Sequence, residues 1–152
     1  MAMRLEIDEK EVPVESRRDL EELLASDHAQ CVRAVVLVTV VERRSSRFER
    51  ALYKVLGLRL PQVEEQGTIQ VLVADNLAHM SFRESEHDRG VVAVTRDYAD
   101  SSAQIQFLTG HGEPFVVRRE RCVPLASAWR AVLEFYDTGR RPTSVAWAND
   151  AR

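Results

Sequence analysis

The pattern of apolar and polar residues in the first part of the chain predicts strands and helices in alternation. Residues 3–7 predict a short strand, which is followed by a charged turn. Ser16 and Asp19 are spaced as in a capping box, and the leucines within 20–26 predict a helix behind it. Residues 32–41 are almost all apolar and many are β-branched, which is typical of a central strand that is buried on both faces.

A second amphipathic helix is predicted over residues 48–56, because apolar side chains recur there at intervals of three and four. Gly57 is a suitable stop for this helix, and the mainly polar residues 61–67 predict a linker. From residue 68 onward the apolar period changes to two. Residues 69–73 and 78–82 alternate on either side of a short polar turn, which predicts a β-hairpin.

Three further strands are predicted in the second half of the chain, at residues 91–95, 103–108 and 113–118. A polar turn at 87–90 precedes the first of them, and a glycine-containing turn at 110–112 joins the other two. Strands at this spacing, joined by short turns, are typical of an antiparallel meander.

The C-terminal part of the chain predicts a helix with a marked start and a glycine stop. Pro124 suits the first helical turn, where its missing N–H is not needed. Apolar residues recur at helical spacing over 125–136, and Arg130 and Glu134 lie one turn apart, where they can form an ion pair. Gly139 can take the left-handed conformation that ends a helix.

A final strand is predicted beyond this helix, because Val145 and Trp147 are two residues apart and point the same way in an extended chain. We interpret Trp129, Tyr136 and Trp147 as scaffold residues that hold this tail on the sheet. Together the elements predict an α+β fold: a single twisted, mainly antiparallel β-sheet with about three helices packed on it. The length suits one domain over residues 1–152.

The composition narrows the class of protein. The chain is 45% apolar and 30% charged, which is typical of soluble globular proteins, and we find no apolar run as long as a membrane span. The N-terminus lacks the hydrophobic core of a signal peptide, so we expect a cytoplasmic protein with no membrane partner. Cys31 and Cys122 form no CxxC motif, and we expect both to be reduced core residues.

The charges are distributed unevenly along the chain, whose net charge is −3. Residues 63–113 carry nine acidic and three basic residues, whereas residues 31–62 carry seven basic and two acidic ones. A weakly acidic protein with an acidic middle does not have the basic stripe that nucleic-acid binding requires. An acidic middle favours a basic protein partner instead, because opposite charges attract at an interface.

One stretch of the chain gathers the residue types that bind metals: Glu84, Glu86, His87 and Asp88. This stretch could be a solvated hairpin tip, an acidic docking patch or a metal site. The sequence contains no HExxH motif, nucleophile elbow, P-loop or dinucleotide fingerprint. We therefore predict no catalytic residue, no cofactor and no metal. A small metal-dependent enzyme that uses the Glu84–Asp88 cluster remains an alternative.

A second polar segment has an aromatic residue between acidic ones: Asp97, Tyr98 and Asp100. It connects two predicted strands and can be an ordinary loop, in which aspartate and serine side chains form turns. It can also be a recognition loop, since tyrosine is enriched among the residues that contribute most to binding at protein interfaces.

Several of these segments resemble immunity protein family one, a family of small intracellular bacterial proteins encoded beside polymorphic toxins. The C-terminal ending carries most of the resemblance, with the strands before it adding to the match. The similar segments are Val123-Pro124-Leu125 to Phe135, Thr138-Gly139-Arg140-Arg141-Pro142, Val145-Ala146-Trp147 and the strands at 78–82, 91–98 and 107–115. Together they span about residues 68–148.

The resemblance implies that the protein binds a cognate toxin, encoded by the adjacent gene, and covers its active-site cleft. Many toxins beside this family are nucleic-acid or nucleobase deaminases, and a deaminase that acts on a single strand has a basic channel. Our hypothesis for the toxin-binding surface is an acidic set with one tyrosine: Glu84, Glu86, Asp88, Asp97, Tyr98 and Asp100. A cytoplasmic regulatory domain with some other partner is a further alternative.

Overall fold

The computed structural model describes residues 2–26, 33–42, 46–60, 63–85, 87–95 and 102–150. Within them the chain forms ten strands and three α-helices, with a short 3-10 turn after the eighth strand. In chain order the elements are β1 (Ala2–Ile7), β2 (Lys10–Val12), α1 (Arg17–Ala25), β3 (Ala34–Glu42), α2 (Arg47–Val55), β4 (Val63–Ala74), β5 (Leu77–Arg83), β6 (Val91–Val94), β7 (Gln104–Leu108), β8 (Pro114–Arg118), β9 (Val123–Pro124), α3 (Leu125–Thr138) and β10 (Ala146–Asn149).

The strands form one large antiparallel sheet and one separate hairpin. Seven strands run in the order β10-β6-β5-β4-β3-β1-β2, and β9 adds to the end of β5. The strands β7 and β8 pair with each other in a two-stranded sheet. The predicted α+β class with a mainly antiparallel sheet is confirmed. The hairpin lies over the outer face of the main sheet, where Phe107 and Val117 pack against Ala34 and Leu72.

The main core lies between one face of the sheet and the helices α1 and α3. Alternate residues of β4, such as Ile69 and Val71, point into this core. Leu20 of α1 is fully buried there, and the ring of Phe135 from α3 meets Phe82 of β5 edge to face at 5.8 Å. None of the described helices is long and apolar enough to cross a membrane.

The helix boundaries follow the capping residues. Ser16 and Asp19 form the predicted capping box, in which the hydroxyl accepts from the Asp19 N–H and the carboxylate accepts from the Ser16 N–H. Gly139 ends α3 at φ 62°, and its N–H donates to the carbonyl of Phe135 at 2.7 Å. Both predicted boundaries are confirmed, because each satisfies backbone groups that a helix end leaves unpaired.

Two predicted connections are wrong. The charged turn after β1 is shorter than predicted, since Lys10–Val12 pair with β1 as the edge strand β2. Of the linker predicted at 61–67, the part from Val63 onward is the start of β4, which pairs with β3, while residues 61 and 62 lie outside the described residues. Polar residues form a strand here because their backbone is paired while side chains such as that of Glu65 remain exposed.

The predicted pairing of Glu134 with Arg130 is replaced by a bond to the tail of the chain. The Glu134 carboxylate accepts hydrogen bonds from the Thr143 N–H at 2.7 Å, the Thr143 hydroxyl at 2.8 Å and the Ser144 N–H at 3.1 Å. The indole N–H of Trp147 donates to the carbonyl of Pro142 at 2.7 Å. These bonds fix the turn that leads into β10.

The aromatic residues of this region are confirmed as scaffold. Trp129, Tyr136 and Trp147 are half-buried and pack against the main core, as does Val145. Cys122 is a buried free thiol, as predicted, and burial raises its pKa to about 11. Cys31 lies outside the described residues.

Candidate binding surface

Two of the predicted site residues, Glu84 and Asp88, lie at the tip of the β5–β6 hairpin. Both side chains are exposed. The Asp88 carboxylate accepts a hydrogen bond from the backbone N–H of Glu84 at 3.1 Å. This bond, with others from the backbone of Gly90 and Arg89, lowers the pKa of Asp88. Asp88 is therefore negatively charged at neutral pH. Its carboxylate also stabilises the turn, whereas the sequence had predicted only that Asp88 lies in a turn.

Gly90 makes this turn possible. Its φ is +81°, in the left-handed region, and a Cβ atom there would lie 2.9 Å from the carbonyl oxygen of Phe82. Only glycine fits such a backbone without strain. The tip that carries Glu84 and Asp88 is thus positioned by the pairing of β5 with β6 and by the turn itself.

The other four predicted site residues cannot be located in the same way. Glu86, Asp97, Tyr98 and Asp100 lie outside the described residues. The common surface formed by all six residues stays a prediction.

Glu84 also forms one wall of an open groove of about 580 Å³ beside the C-terminal tail. Phe82 and Gly67 line the same wall. The opposite wall is formed by the turn after α3, including the exposed residues Arg140 and Arg141. The hairpin tip presents Glu84 and Asp88, but the exposed Arg83 and Arg89 lie in the same segment, so the tip and the groove next to it both carry both signs of charge.

A second concavity lies on the outer face of the sheet, under the β7–β8 hairpin. His79 is 8% exposed, and its ring lies 5.5 Å from that of Phe115. Its Nδ1 is 2.9 Å from the carbonyl oxygen of Arg121. Burial lowers the pKa of His79, which favours the neutral ring with Nδ1–H as the donor. The ion pair of Arg121 with Asp150, at 3.4 Å, borders the same space.

Sequence reasoning missed this concavity. The only signal was the alternation in β5, where Ala78, Met80 and Phe82 face the main core and His79 therefore faces the other way. The residues that complete the concavity come from distant parts of the chain, so their proximity appears only in the folded structure.

A third surface is formed by α2 and the residues that follow it. The predicted apolar face of this helix is present, but it is turned toward solvent. Its side chains are between 44% and 83% exposed: Phe48, Leu52, Val55, Leu56 and Leu58. In contrast, α1 and α3 bury their apolar faces in the main core.

The metal alternative named Glu84, Glu86, His87 and Asp88, of which Glu86 lies outside the described residues. In the part of the chain that the structure describes, no three or more His, Cys, Asp or Glu side chains are grouped closely enough to hold a metal ion. The carboxylate of Asp88 is engaged by backbone N–H groups of its own turn.

A family model described as Immunity protein Imm1 matches residues 8–149. No curated protein matches the chain. The family match includes residues 28–66, which lie upstream of the segments on which the sequence resemblance was based, and it extends through β10.

Proposed function

Since the chain belongs to the Imm1 family of immunity proteins, we propose that it binds one cognate toxin and neutralises it by covering the active-site cleft. The toxin is a polymorphic toxin encoded by the adjacent gene, and its activity is deamination of nucleic acid or nucleobases. The protein acts in the cytoplasm as an inhibitor, with no catalytic residue or cofactor of its own. The family match over residues 8–149 is the observation that carries this proposal.

The two exposed carboxylates at the hairpin tip support the proposed mode of inhibition. A deaminase that acts on a single strand guides the nucleic acid to a zinc-activated water through a basic channel. Glu84 and Asp88 are exposed and would meet such a channel with negative charge. Complementary charge speeds the encounter of two proteins, while a few desolvated side chains hold the complex together.

The remaining residues of the proposed surface would supply further negative charge and an aromatic contact. Glu86, Asp97 and Asp100 would add to the negative charge, and Tyr98 would supply an aromatic anchor. The groove beside Glu84 would let the toxin meet Arg140 and Arg141 as well, and a surface with both signs of charge fixes the orientation of a partner.

The first experiment co-expresses the protein with the product of the adjacent gene. We expect growth rescue, co-purification of the two proteins and loss of deaminase activity when the purified proteins are mixed. Rescue without a complex, or a complex that leaves the toxin active, would contradict direct inhibition. A neighbouring gene that encodes no toxin would favour the regulatory alternative, and metal bound in stoichiometric amount would favour the enzyme alternative.

The second experiment tests the acidic surface with one charge reversal and a matched control. Glu84→Lys should weaken toxin binding by about tenfold, mainly through a slower association rate that depends on ionic strength. Glu11→Lys is the control, because Glu11 is also an exposed glutamate but lies in β2 at the far edge of the sheet. Equal affinities for wild type, Glu84→Lys and a variant that also replaces Asp97 and Asp100 would remove this surface from the proposal.

A further inference from the structure

We propose that a cavity on the outer face of the main sheet, beside the β5–β6 turn, receives an acidic loop of the toxin, and that Arg83 and Arg89 bind a carboxylate of this loop. The inference rests on the proposed function, because the occupant is the same toxin. It adds a contact of opposite charge to those proposed for Glu84 and Asp88. The observation that motivates it is a cavity with unpaired polar groups on its floor and two arginines at its mouth.

The cavity is formed by residues of β4 and β5 that face away from the main core. The alternate residues of β5 point into that core, so His79, Ser81 and Arg83 point to the outer face. Gln70 of β4 pairs with Ser81 and joins the same floor, and the Phe115 ring lies above it, 5.5 Å from the ring of His79. The cavity volume is about 130 Å³. A cavity of about 150 Å³ holds a molecule the size of benzene, so this one admits the end of one side chain.

Three polar groups of the floor have no hydrogen-bond partner in the part of the chain that the structure describes. His79 donates through Nδ1 to the carbonyl oxygen of Arg121 at 2.9 Å, which leaves Nε2 as an acceptor. This Nε2 is not one of the fully buried unpaired atoms of the described residues, so it opens onto the cavity region. The Ser81 hydroxyl and the Gln70 amide also lack side-chain hydrogen bonds there. A concave site with a few convergent polar groups is typical of binding sites.

The charges at the mouth identify the kind of ligand. Arg83 and Arg89 are exposed, line the cavity and form no ion pair within the described residues. Asp150 lines the cavity as well, but it is paired with Arg121 at 3.4 Å. Glu84 lines the groove on the other side of the turn. The mouth therefore has an excess of positive charge, and a carboxylate suits it because a guanidinium can bind both carboxylate oxygens at once.

The Asp88 carboxylate does not replace such a ligand. Its pKa is lowered first by the backbone N–H of Glu84 and only last by the charge of Arg83. The carboxylate accepts the Glu84 N–H at 3.1 Å and so belongs to its own turn. Arg83 is left available for a partner.

The position of the cavity favours the toxin as its occupant. Arg83 and Arg89 lie in the turn that carries Glu84 and Asp88, so a partner that covers this turn reaches both sides of it. A toxin surface that is only basic would be attracted by the carboxylates and repelled by the two arginines. An acidic loop beside the basic channel would meet both charges. An alternation of charge of this kind fixes the orientation of a partner and rejects toxins that lack it.

The test measures the affinity of variants for the purified toxin domain encoded by the adjacent gene, carried as an inactive variant. Arg83→Ala with Arg89→Ala should weaken binding by about 30-fold or more, since arginine is enriched among the residues that contribute most to binding. Ser81→Leu should also weaken binding, because it fills the cavity and leaves both arginines in place. Arg130→Ala is the matched control, because Arg130 is exposed on α3, which packs on the other face of the sheet. We expect the control to bind as the wild type does.

Double-mutant cycles identify the carboxylate on the toxin. Each Asp and Glu of the toxin domain is replaced with alanine in turn. We expect one replacement to weaken binding to the wild type and to have no further effect on the variant that lacks Arg83 and Arg89. If no acidic residue of the toxin is coupled to these arginines, the inference is overturned.

Each outcome separates this inference from the proposed function. If the wild type binds no toxin, the proposed function fails and the inference fails with it. If the wild type binds and inhibits the toxin but the double-arginine variant or Ser81→Leu does so equally well, only the inference is overturned. It is also overturned if saturating acetate or phosphate binds the wild type at Arg83 and Arg89 without lowering its affinity for the toxin. Circular dichroism of every variant checks the fold.

Discussion

Replacement of Glu134 with alanine should loosen the C-terminal tail and lower the stability of the whole domain. The carboxylate accepts two backbone N–H bonds and one hydroxyl bond from residues 143–144. Loss of a side-chain acceptor that caps backbone N–H groups costs about 1 kcal/mol, and bonds to charged groups are stronger than neutral ones. For Glu134→Ala we therefore expect a loss of about 1–2 kcal/mol, or about 2–8 °C in Tm for a domain of this size.

The loss of stability in Glu134→Ala should also depend on pH. Burial opposes ionisation of Glu134, but the hydrogen bonds from Thr143 and Ser144 outweigh it and lower the pKa below the ordinary value of 4.5. A depressed carboxyl pKa stabilises the fold above the unfolded-state pKa, and this contribution is lost as the pH falls through the folded-state pKa. The difference in the free energy of unfolding between wild type and Glu134→Ala should therefore be largest at neutral pH and shrink in acid.

Urea unfolding, followed by circular dichroism at neutral pH and below pH 4.5, measures both effects. Arg130→Ala is the informative control, because Arg130 is the partner that helical spacing predicts for Glu134. An exposed pair at this spacing is worth only about 0.2–0.5 kcal/mol. Equal losses for the two variants, or a loss for Glu134→Ala that is small and independent of pH, would refute the role of Glu134 in holding the tail.

Three further predictions concern buried groups. Phe135→Ala should cost about 3–5 kcal/mol in urea unfolding, because the ring is fully buried against Phe82, and a loss under about 1 kcal/mol would contradict this packing. Burial lowers the pKa of His79, so stability should fall as the pH drops below 6.5, and His79→Gln should show a smaller fall in pH-dependent unfolding. With its pKa raised to about 11 by burial, Cys122 should react with a thiol reagent in a Cys31→Ser background only after unfolding, whereas rapid labelling of the native protein would show an accessible thiolate.

The elements that sequence reasoning predicted correctly are those in which local pattern and tertiary burial agree. The β4–β5 hairpin alternates because one face of it enters the main core, and α3 ends at Gly139, where the N–H of the glycine donates to the carbonyl of Phe135. The start of β4 was mistaken for a linker because its side chains are polar. Strand pairing there is a property of the backbone, and residues such as Glu65 give no apolar signal of it.

The candidate surfaces were predictable in part. The position of Glu84 and Asp88 at a hairpin tip followed from the turn residues around them. The engagement of Asp88 by its own turn depends on the conformation at Gly90. An amphipathic helix has the same spacing whether its apolar face is buried or exposed, so the exposure of α2 had no sequence signal.

The pairing of β10 with β6 has a consequence for the time course of folding. The hairpin of β4 and β5 closes over a short turn. In contrast, Ala146 can pair with Val94 only after the intervening β7–β8 hairpin, β9 and α3 have been synthesised. Closing such a long loop costs more entropy, and chains fold from the N-terminal side during synthesis. We expect β10 to join the sheet late. The groove beside Glu84 is then among the last parts to form, and a ribosome-bound chain cannot present it until the tail has emerged.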